Sequence, residues 1–233
     1  MKRRDCLKSV AALAAGALLP GCERQQAINT SGEILKVPAF SRQRLHESLD
    51  RLLAAYEARG FATADTLLPP LTESELREAC NWFPGELPPE LIALYGWRGG
   101  QEKDACESEH PFWFRDMSFS SIERAKQEYQ SMMSSYGLIP GDRGLLKYSF
   151  PFAAFNGGWY VLPTGGHPFN ASLKYPVISV FEGVDVFFYS LEQMVNTCVD
   201  WVSHPDYSDD YSLPSEVELQ IWRKHNPGIF VYS

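Results

Sequence analysis

The order of strand-like and helix-like segments along this chain constrains its fold more than any other sequence feature. Three apolar runs rich in β-branched and aromatic residues follow one another at 150–155, 158–162 and 176–189, a pattern typical of strands. Segments with the helical period of apolar residues stand before and after this block rather than between the strands. Such segregation predicts an α+β fold, with an antiparallel sheet of about four or more strands and helices packed against one face.

Short motifs mark where the helices begin. In a capping box, a serine or threonine is followed three residues later by glutamate or glutamine, and the two side chains satisfy free backbone N–H groups. The motif occurs at Thr72, Ser120 and Ser190. Pro89 suits the first turn of a further helix, and glycines at 99 and 100 end it. Residues 72–100 are therefore expected to form a helical hairpin.

The helical hairpin resembles the opening of the SUKH superfamily, whose fungal members are the Smi/Knr cell-wall assembly regulators. The similarity lies in Leu-Thr-Glu-Ser-Glu-Leu at 71–76 and in the run from Leu-Pro-Pro-Glu to Tyr-Gly-Trp-Arg-Gly-Gly at 87–100. Farther along, Phe-Pro-Phe-Ala at 150–153 and Gly-Gly-Trp-Tyr-Val at 157–161 are similar to a strand pair of the family, and residues 190–201 resemble its closing helix.

Two departures from the family pattern accompany the resemblance. Arg-Gly-Gly at 98–100 stands where Asn-Gly is common, and Val-Leu-Pro at 161–163 stands where an acidic residue often follows the strand pair. The resemblance covers about residues 71–202 and implies a SUKH-like α+β fold with a binding role. Bacterial members of the family are mostly immunity proteins that clasp a cognate toxin, and fungal members are interaction scaffolds.

The N-terminus is typical of an exported protein. An arginine pair at 3–4 precedes an apolar run that is too short to span a bilayer as a helix. Residues 19–22 (Leu-Pro-Gly-Cys) resemble the lipobox of bacterial lipoproteins, and residues 3–8 resemble the twin-arginine export motif. We therefore expect a signal peptide at 1–21, lipid on Cys22, a polar tether at 22–40 and a single domain at 41–233. The protein would lie in the bacterial cell envelope, on the periplasmic face or at the cell surface.

The charge of the chain limits its partners. The formal net charge is −8, and because residues 1–21 contribute +3, the remainder carries about −11. Nucleic-acid binding needs a basic face, so a nucleic-acid partner is not expected. A basic protein partner is compatible with this charge, although solubility alone also explains it.

The sequence lacks the common signatures of an enzyme. It contains no Gly-x-Ser-x-Gly, His-Glu-x-x-His, P-loop or dinucleotide-binding motif, and we expect neither a metal nor a cofactor. Cys106 and His110 would supply only two metal ligands, where a zinc site needs three or four. The acidic loop around Asp206 lacks the glycine and glutamate of an EF-hand. Cys80 and Cys198 fall on apolar helix faces and are expected to lie in the core.

Aromatic residues are the best candidates for partner binding. Interface hot spots favour tryptophan, tyrosine and arginine, although each aromatic residue here is also a candidate for the core. The partner-binding residues predicted on this basis are Trp97, Arg98, Trp113, Trp159 and Tyr160.

Three functions remain open from the sequence. The first is a membrane-tethered, non-enzymatic domain that binds a protein, either as an immunity protein against a cognate toxin or as a scaffold for an envelope assembly factor. The second is an envelope hydrolase or thiol enzyme whose site has no recognisable motif. The third is a carbohydrate-binding module of the cell wall, in which sugar rings stack on the aromatic residues.

Overall fold

A computed structural model describes residues 39–101, 113–136, 142–164, 175–181, 183–208 and 212–229. The predicted signal segment and residues 22–38 of the predicted tether lie outside these ranges and remain predictions. Within the ranges, no helix is long and apolar enough to cross a membrane. The fold is α+β, as predicted. Its α-helices are α1 (Arg42–Ala58), α2 (Glu73–Ala79), α3 (Pro89–Trp97), α4 (Ile122–Ser135), α5 (Asp142–Leu146), α6 (Leu191–Ser203) and α7 (Ser215–His225).

The sheet has six strands, each paired antiparallel with its neighbour in the chain. A register shift between Pro151 and Ala153 marks a bulge in an inner strand, where a proline without an N–H donor can be accommodated. The strands are β1 (Trp113–Phe114), β2 (Met117–Phe119), β3 (Ser149–Phe155), β4 (Gly158–Pro163), β5 (Val177–Val180) and β6 (Val184–Phe188).

Helices cover both faces of the sheet, so the expectation of helices on one face is wrong. Along β4, Tyr160 and Leu162 belong to the large core that contains residues of α1, α3, α6 and α7. The alternating residues Trp159 and Val161 belong to a second core, together with Met132 of α4 and Leu146 of α5. Burial of both residue sets explains why β4 is a continuous apolar run rather than an alternating one.

The helix starts confirm most of the predicted caps. Thr72 and Glu75 form the expected capping box, and Ser190 accepts a hydrogen bond from Gln193 N at 3.2 Å. The α4 cap is Ser121, one residue after the predicted Ser120. Ser120 instead forms a β-bridge with Gln101 and has a buried hydroxyl, so its side chain is not available for the helix end.

A short hairpin lies in the segment that was expected to be irregular. The strands β1 and β2 have only two and three residues, and a two-residue turn of Arg115 and Asp116 joins them. Strands this short show no alternation that distinguishes them from a loop. The hairpin extends the sheet beyond β3 and brings the side chains of its turn beneath α6 and α7.

Candidate binding site at the hairpin end of the sheet

The structure places three of the five predicted partner-binding residues in the interior. Trp97, Trp159 and Tyr160 are 5%, 2% and 1% exposed. Their polar atoms bond within the domain: Trp97 Nε1 to Asp50, Trp159 Nε1 to Glu128 and the Tyr160 hydroxyl to Asp116. A buried ring cannot present its face to a partner, so this placement favours the core role that the sequence left open for them.

Of the other two predicted residues, the structure describes only the side chain of Arg98. Arg98 is half-buried; its guanidinium lies 5.2 Å from the centre of the Trp97 ring and donates to the Trp97 carbonyl at 2.8 Å. The side chain of Trp113 lies outside the described part of the chain. Trp159 and Tyr160 point to opposite faces of the sheet, so the five residues share no common surface.

The turns of three hairpins meet at one end of the sheet, which we call the hairpin end. Because the six antiparallel strands pair in chain order, the β1–β2, β3–β4 and β5–β6 turns all lie at the same end of the sheet. Their described residues are Arg115 and Asp116 in the first turn, Asn156 and Gly157 in the second, and Phe181 and Gly183 in the third. Asn156 and Gly157 both have positive φ values, 51° and 77°, as a two-residue turn matched to the strand twist requires.

Phe181 projects from the hairpin end. This residue is 52% exposed, and it is the one large hydrophobic residue that is exposed among those the structure describes. Gly158 lies two residues before Tyr160, on the same sheet face, and a Cβ there would come within 3.1 Å of the Phe181 ring and 2.8 Å of the Met117 methyl. The absence of a side chain at Gly158 therefore lets Phe181 lie against the sheet while much of its ring stays in solvent.

Two exposed acidic side chains lie at the same end of the sheet as this ring. Asp185 pairs with Ser179, which pairs with Tyr160, so Asp185 lies on the same face and is exposed. Asp116, which precedes Met117, has a side chain that is 55% exposed. The hairpin end thus combines an exposed aromatic ring with two solvent-accessible carboxylates.

Arg115 lies at the centre of a polar cluster next to this surface. Its φ is 65°, a left-handed conformation that non-glycine residues rarely adopt. The guanidinium donates through Nε to Glu218 of α7 and lies 3.8 Å from Asp116 Oδ2. It also lies 5.5 Å and 5.8 Å from the ring centres of Phe187 and Trp201. Carboxylates and aromatic faces together hold this half-buried cation.

The titratable groups of the cluster are held in unreactive forms. Burial raises the pKa of the Tyr160 hydroxyl and of the Cys198 thiol. Burial opposes the charge on Arg115, but Tyr160, Asp116 and Glu218 outweigh it and raise the pKa of the guanidinium. A protonated thiol and a protonated phenol are poor nucleophiles, and a charged guanidinium cannot act as a base.

A pocket of about 180 Å³ opens beside the cluster, between the β1–β2 turn, α6 and α7. Among the described residues, one guanidinium, Arg115, and two carboxylates, Asp116 and Glu218, line it. Its apolar wall includes the aromatic rings of Tyr56, Trp201 and Tyr207.

Arg59, at the end of α1, fixes one wall of the pocket. Its guanidinium donates to the carbonyls of Val202 and His204 and, at 2.7 Å, to that of Tyr207. It also lies 5.0 Å from the centre of the Tyr207 ring. These contacts hold the segment after α6 against α1.

The other residues that the sequence offered as nucleophiles or metal ligands fall into two groups. Cys80 and Cys198 are buried free thiols, as predicted, and burial raises the pKa of Cys80 to about 12. Cys106, His110 and the acidic residues after Ser208 lie outside the described residues. Across the ranges that the structure covers, no three potential ligands come together around a metal position.

Comparison with known proteins gives no relative. No protein-family model matches the chain, and no curated protein matches it. The cluster beside the hairpin end was not predicted from the sequence, because Arg115 and Glu218 are 103 residues apart in the chain. The available signal was local: an Arg-Asp pair between Trp-Phe at 113–114 and Met-Ser-Phe at 117–119, which is compatible with a two-residue turn.

Proposed function

We propose that this protein is a membrane-tethered, non-enzymatic protein-binding domain whose partner docks at the hairpin end. The observation that carries the proposal is the exposed ring of Phe181 at the same end of the sheet as the exposed side chains of Asp116 and Asp185. The inner strands of this sheet are buried on both faces. Aromatic residues contribute disproportionately to interface energies, and exposed carboxylates attract a basic partner.

The chemistry of the neighbouring cluster supports binding over catalysis. Its thiol and phenol are held protonated by burial, and its guanidinium is paired with carboxylates. A hydrolase or thiol enzyme would need a nucleophile whose pKa is lowered or a base beside it. The pKa values of the Cys198 thiol and the Tyr160 hydroxyl are shifted the opposite way, upward.

The resemblance to the SUKH superfamily supports the same role, because its members act by binding proteins. The lipobox-like motif supports a tether at Cys22, so the partner would be an envelope-acting toxin or an envelope assembly factor. The acidic net charge of −8 favours a basic surface on that partner.

Affinity purification from a bacterial envelope fraction tests this proposal. The full-length protein, Phe181→Ser and the control Gln130→Ser are compared; Gln130 is exposed on α4, which packs on the other face of the sheet. A protein retained by the wild type and by Gln130→Ser, but bound at least about tenfold more weakly by Phe181→Ser, is expected for a hot-spot aromatic. Equal retention by Phe181→Ser, or retention of glycan alone, would contradict the proposal.

The tether is tested separately. Cys22→Ser should move the protein from the membrane fraction to the soluble fraction, because one residue carries the lipid. A Cys22→Ser protein that stays in the membrane fraction would contradict lipid anchoring without affecting the docking surface.

A further inference from the structure

We propose that Asn156, in the β3–β4 turn of the hairpin end, is a site of spontaneous deamidation, which converts it to aspartate and isoaspartate. The modification needs neither an enzyme nor a partner, so it goes beyond the proposed function and does not depend on it. Three features point to this site: the residue that follows Asn156, the exposure of the turn, and the contrast with the other asparagines that the structure describes.

The residue after Asn156 leaves the attacking atom unshielded. Deamidation begins when the backbone nitrogen of the following residue attacks the carbonyl carbon of the asparagine side chain. That residue is Gly157, which has no Cβ beside its nitrogen, and a Cβ built there would meet nothing within 4 Å. Within the described residues, no backbone hydrogen bond holds the Gly157 N–H, so this group can lose its proton to hydroxide from solvent.

The turn is open to solvent and the side chain of Asn156 is not held. Both turn residues are exposed, and the Asn156 side chain makes no hydrogen bond to the part of the chain that the structure covers. The pairing of Phe155 with Gly158 closes the turn from the strand side. Because the attack requires the backbone of Asn156 to rotate out of its turn conformation, deamidation should be slower in the folded protein than in the unfolded chain.

The other described asparagines each lack one of these conditions. Asn81 is exposed, but Trp82 follows it and places a large side chain beside the attacking nitrogen. Asn196 accepts hydrogen bonds from two side chains, at 2.8 Å and 2.9 Å, which fix its amide. Asn226 is buried, and Pro227 after it has no N–H to deprotonate. The structure therefore singles out Asn156 among them.

The reaction consumes only water. The deprotonated Gly157 nitrogen forms a bond to Cγ of Asn156, the bond from Cγ to Nδ2 breaks, and the amide leaves as ammonia. Water then opens the resulting five-membered succinimide at either of its two carbonyl carbons. Opening at one carbon gives aspartate, and opening at the other gives isoaspartate, in which the main chain runs through the former side chain.

Either product changes the hairpin end. The β3–β4 turn lies between the two turns next to which Asp116 and Asp185 are exposed, so deamidation adds a third carboxylate to this end of the sheet. Aspartate tolerates the positive φ of this position as asparagine does, so the turn is kept. Isoaspartate adds one carbon to the main chain of a two-residue turn, whose length fixes the register of β3 against β4.

Incubation in H₂¹⁸O tests this directly. The full-length protein is held at pH 6 and at pH 8, folded or in urea, and returned to ordinary water before digestion and peptide mass spectrometry. A side chain that deamidates during incubation gains one ¹⁸O in its new carboxyl group. We expect label at Asn156 in the folded protein, more at pH 8 than at pH 6 and more in urea than without it, and no label at Asn81 of the folded protein over the same time.

Gly157→Ala is the matched variant, because it keeps the asparagine and adds only a methyl group beside the attacking nitrogen. It is compared with the wild type in urea, where the strain of alanine at a positive φ has no effect, and its labelling at Asn156 should be several-fold slower. An unlabelled Asn156 in the folded protein, equal labelling of Asn81 and Asn156, or equal rates for Gly157→Ala and the wild type would overturn the inference. None of these results affects the docking surface, which the purification with Phe181→Ser tests.

Discussion

The indole nitrogen of Trp159 on β4 donates a 2.7 Å hydrogen bond to Glu128 on α4. Glu128 also pairs with Arg124, one turn earlier, and the Arg124 guanidinium reaches Ser118 on β2 and the Ala154 carbonyl on β3. Two side chains of one helix therefore bond three adjacent strands. This network fixes α4 on the second face of the sheet, opposite the proposed binding surface.

Glu128→Ala should destabilise the domain by about 1–3 kcal/mol, because it leaves a buried indole N–H without an acceptor. Glu128→Gln keeps an acceptor oxygen at the same position, so its free energy of unfolding should fall less than that of Glu128→Ala. Urea unfolding followed by circular dichroism measures both variants. Equal stability of the alanine variant and the wild type would show that the hydrogen bond contributes nothing.

Gly100→Ala should be more damaging than Gly60→Ala. Both glycines have positive φ values, 92° and 82°, so each substitution costs about 1–2 kcal/mol in backbone strain. A Cβ at Gly100 would also lie 2.4 Å from the Ser120 carbonyl oxygen, whereas a Cβ at Gly60 meets nothing within 4 Å. The difference between the two denaturation midpoints measures this close approach, and equal midpoints would argue against it.

Helix ends were predictable from the sequence, and the layers of the fold were not. The cap at Thr72 depends on residues within one turn, so its motif determines the geometry. Which face of the sheet α4 covers depends on contacts such as that between Met132 and the second core, which join residues far apart in the chain. The apolar stripe of a helix shows which side of the helix is buried, but it does not show which element that side packs against.

The pH dependence of stability should include a contribution from Asp200. Partial burial works to raise the pKa of this carboxyl, but hydrogen bonds from Lys224 and His225 and their charges outweigh it, so the pKa is lowered. A carboxyl whose pKa is lowered by folding stabilises the folded state at pH values above its ordinary pKa of about 4. This stabilisation is lost as the pH falls from that value through the lowered pKa.

The stability of Asp200→Asn should therefore fall less than that of the wild type between pH 6 and pH 3. Thermal unfolding across this range measures the difference, with Asp65→Asn as a matched control at an exposed site. A fall in Asp200→Asn as steep as in the wild type would mean that the pair with Lys224 and His225 does not stabilise the fold.

Cys80 and Cys198 should resist alkylation in the folded protein. They are 4% and 1% exposed, and burial raises the pKa of both thiols, that of Cys80 to about 12. At pH 8, iodoacetamide should modify neither residue in the native protein and both in denaturant, as read by peptide mass spectrometry. Native labelling of either thiol at the rate of the denatured protein would contradict its burial and reopen a thiol chemistry.

The residues of the candidate site could not be predicted from the sequence. The acidic composition was compatible with a basic protein partner, and three of the aromatic residues chosen from the sequence, Trp97, Trp159 and Tyr160, are buried in the core. The exposed ring belongs to Phe181, in a run that otherwise forms a buried strand. Its exposure follows from the register of β4 and β5, which local patterns do not determine.

Site-specific photo-crosslinking in intact cells tests the central claim most directly. A benzoylphenylalanine is placed at position 181 and, as a control, at the exposed position 130 on the opposite side of the sheet. The account predicts that one protein crosslinks from position 181 and not from position 130, and that adding Asp116→Asn reduces its yield. Crosslinks of equal yield from both positions, or none from position 181, would contradict a docking surface at the hairpin end.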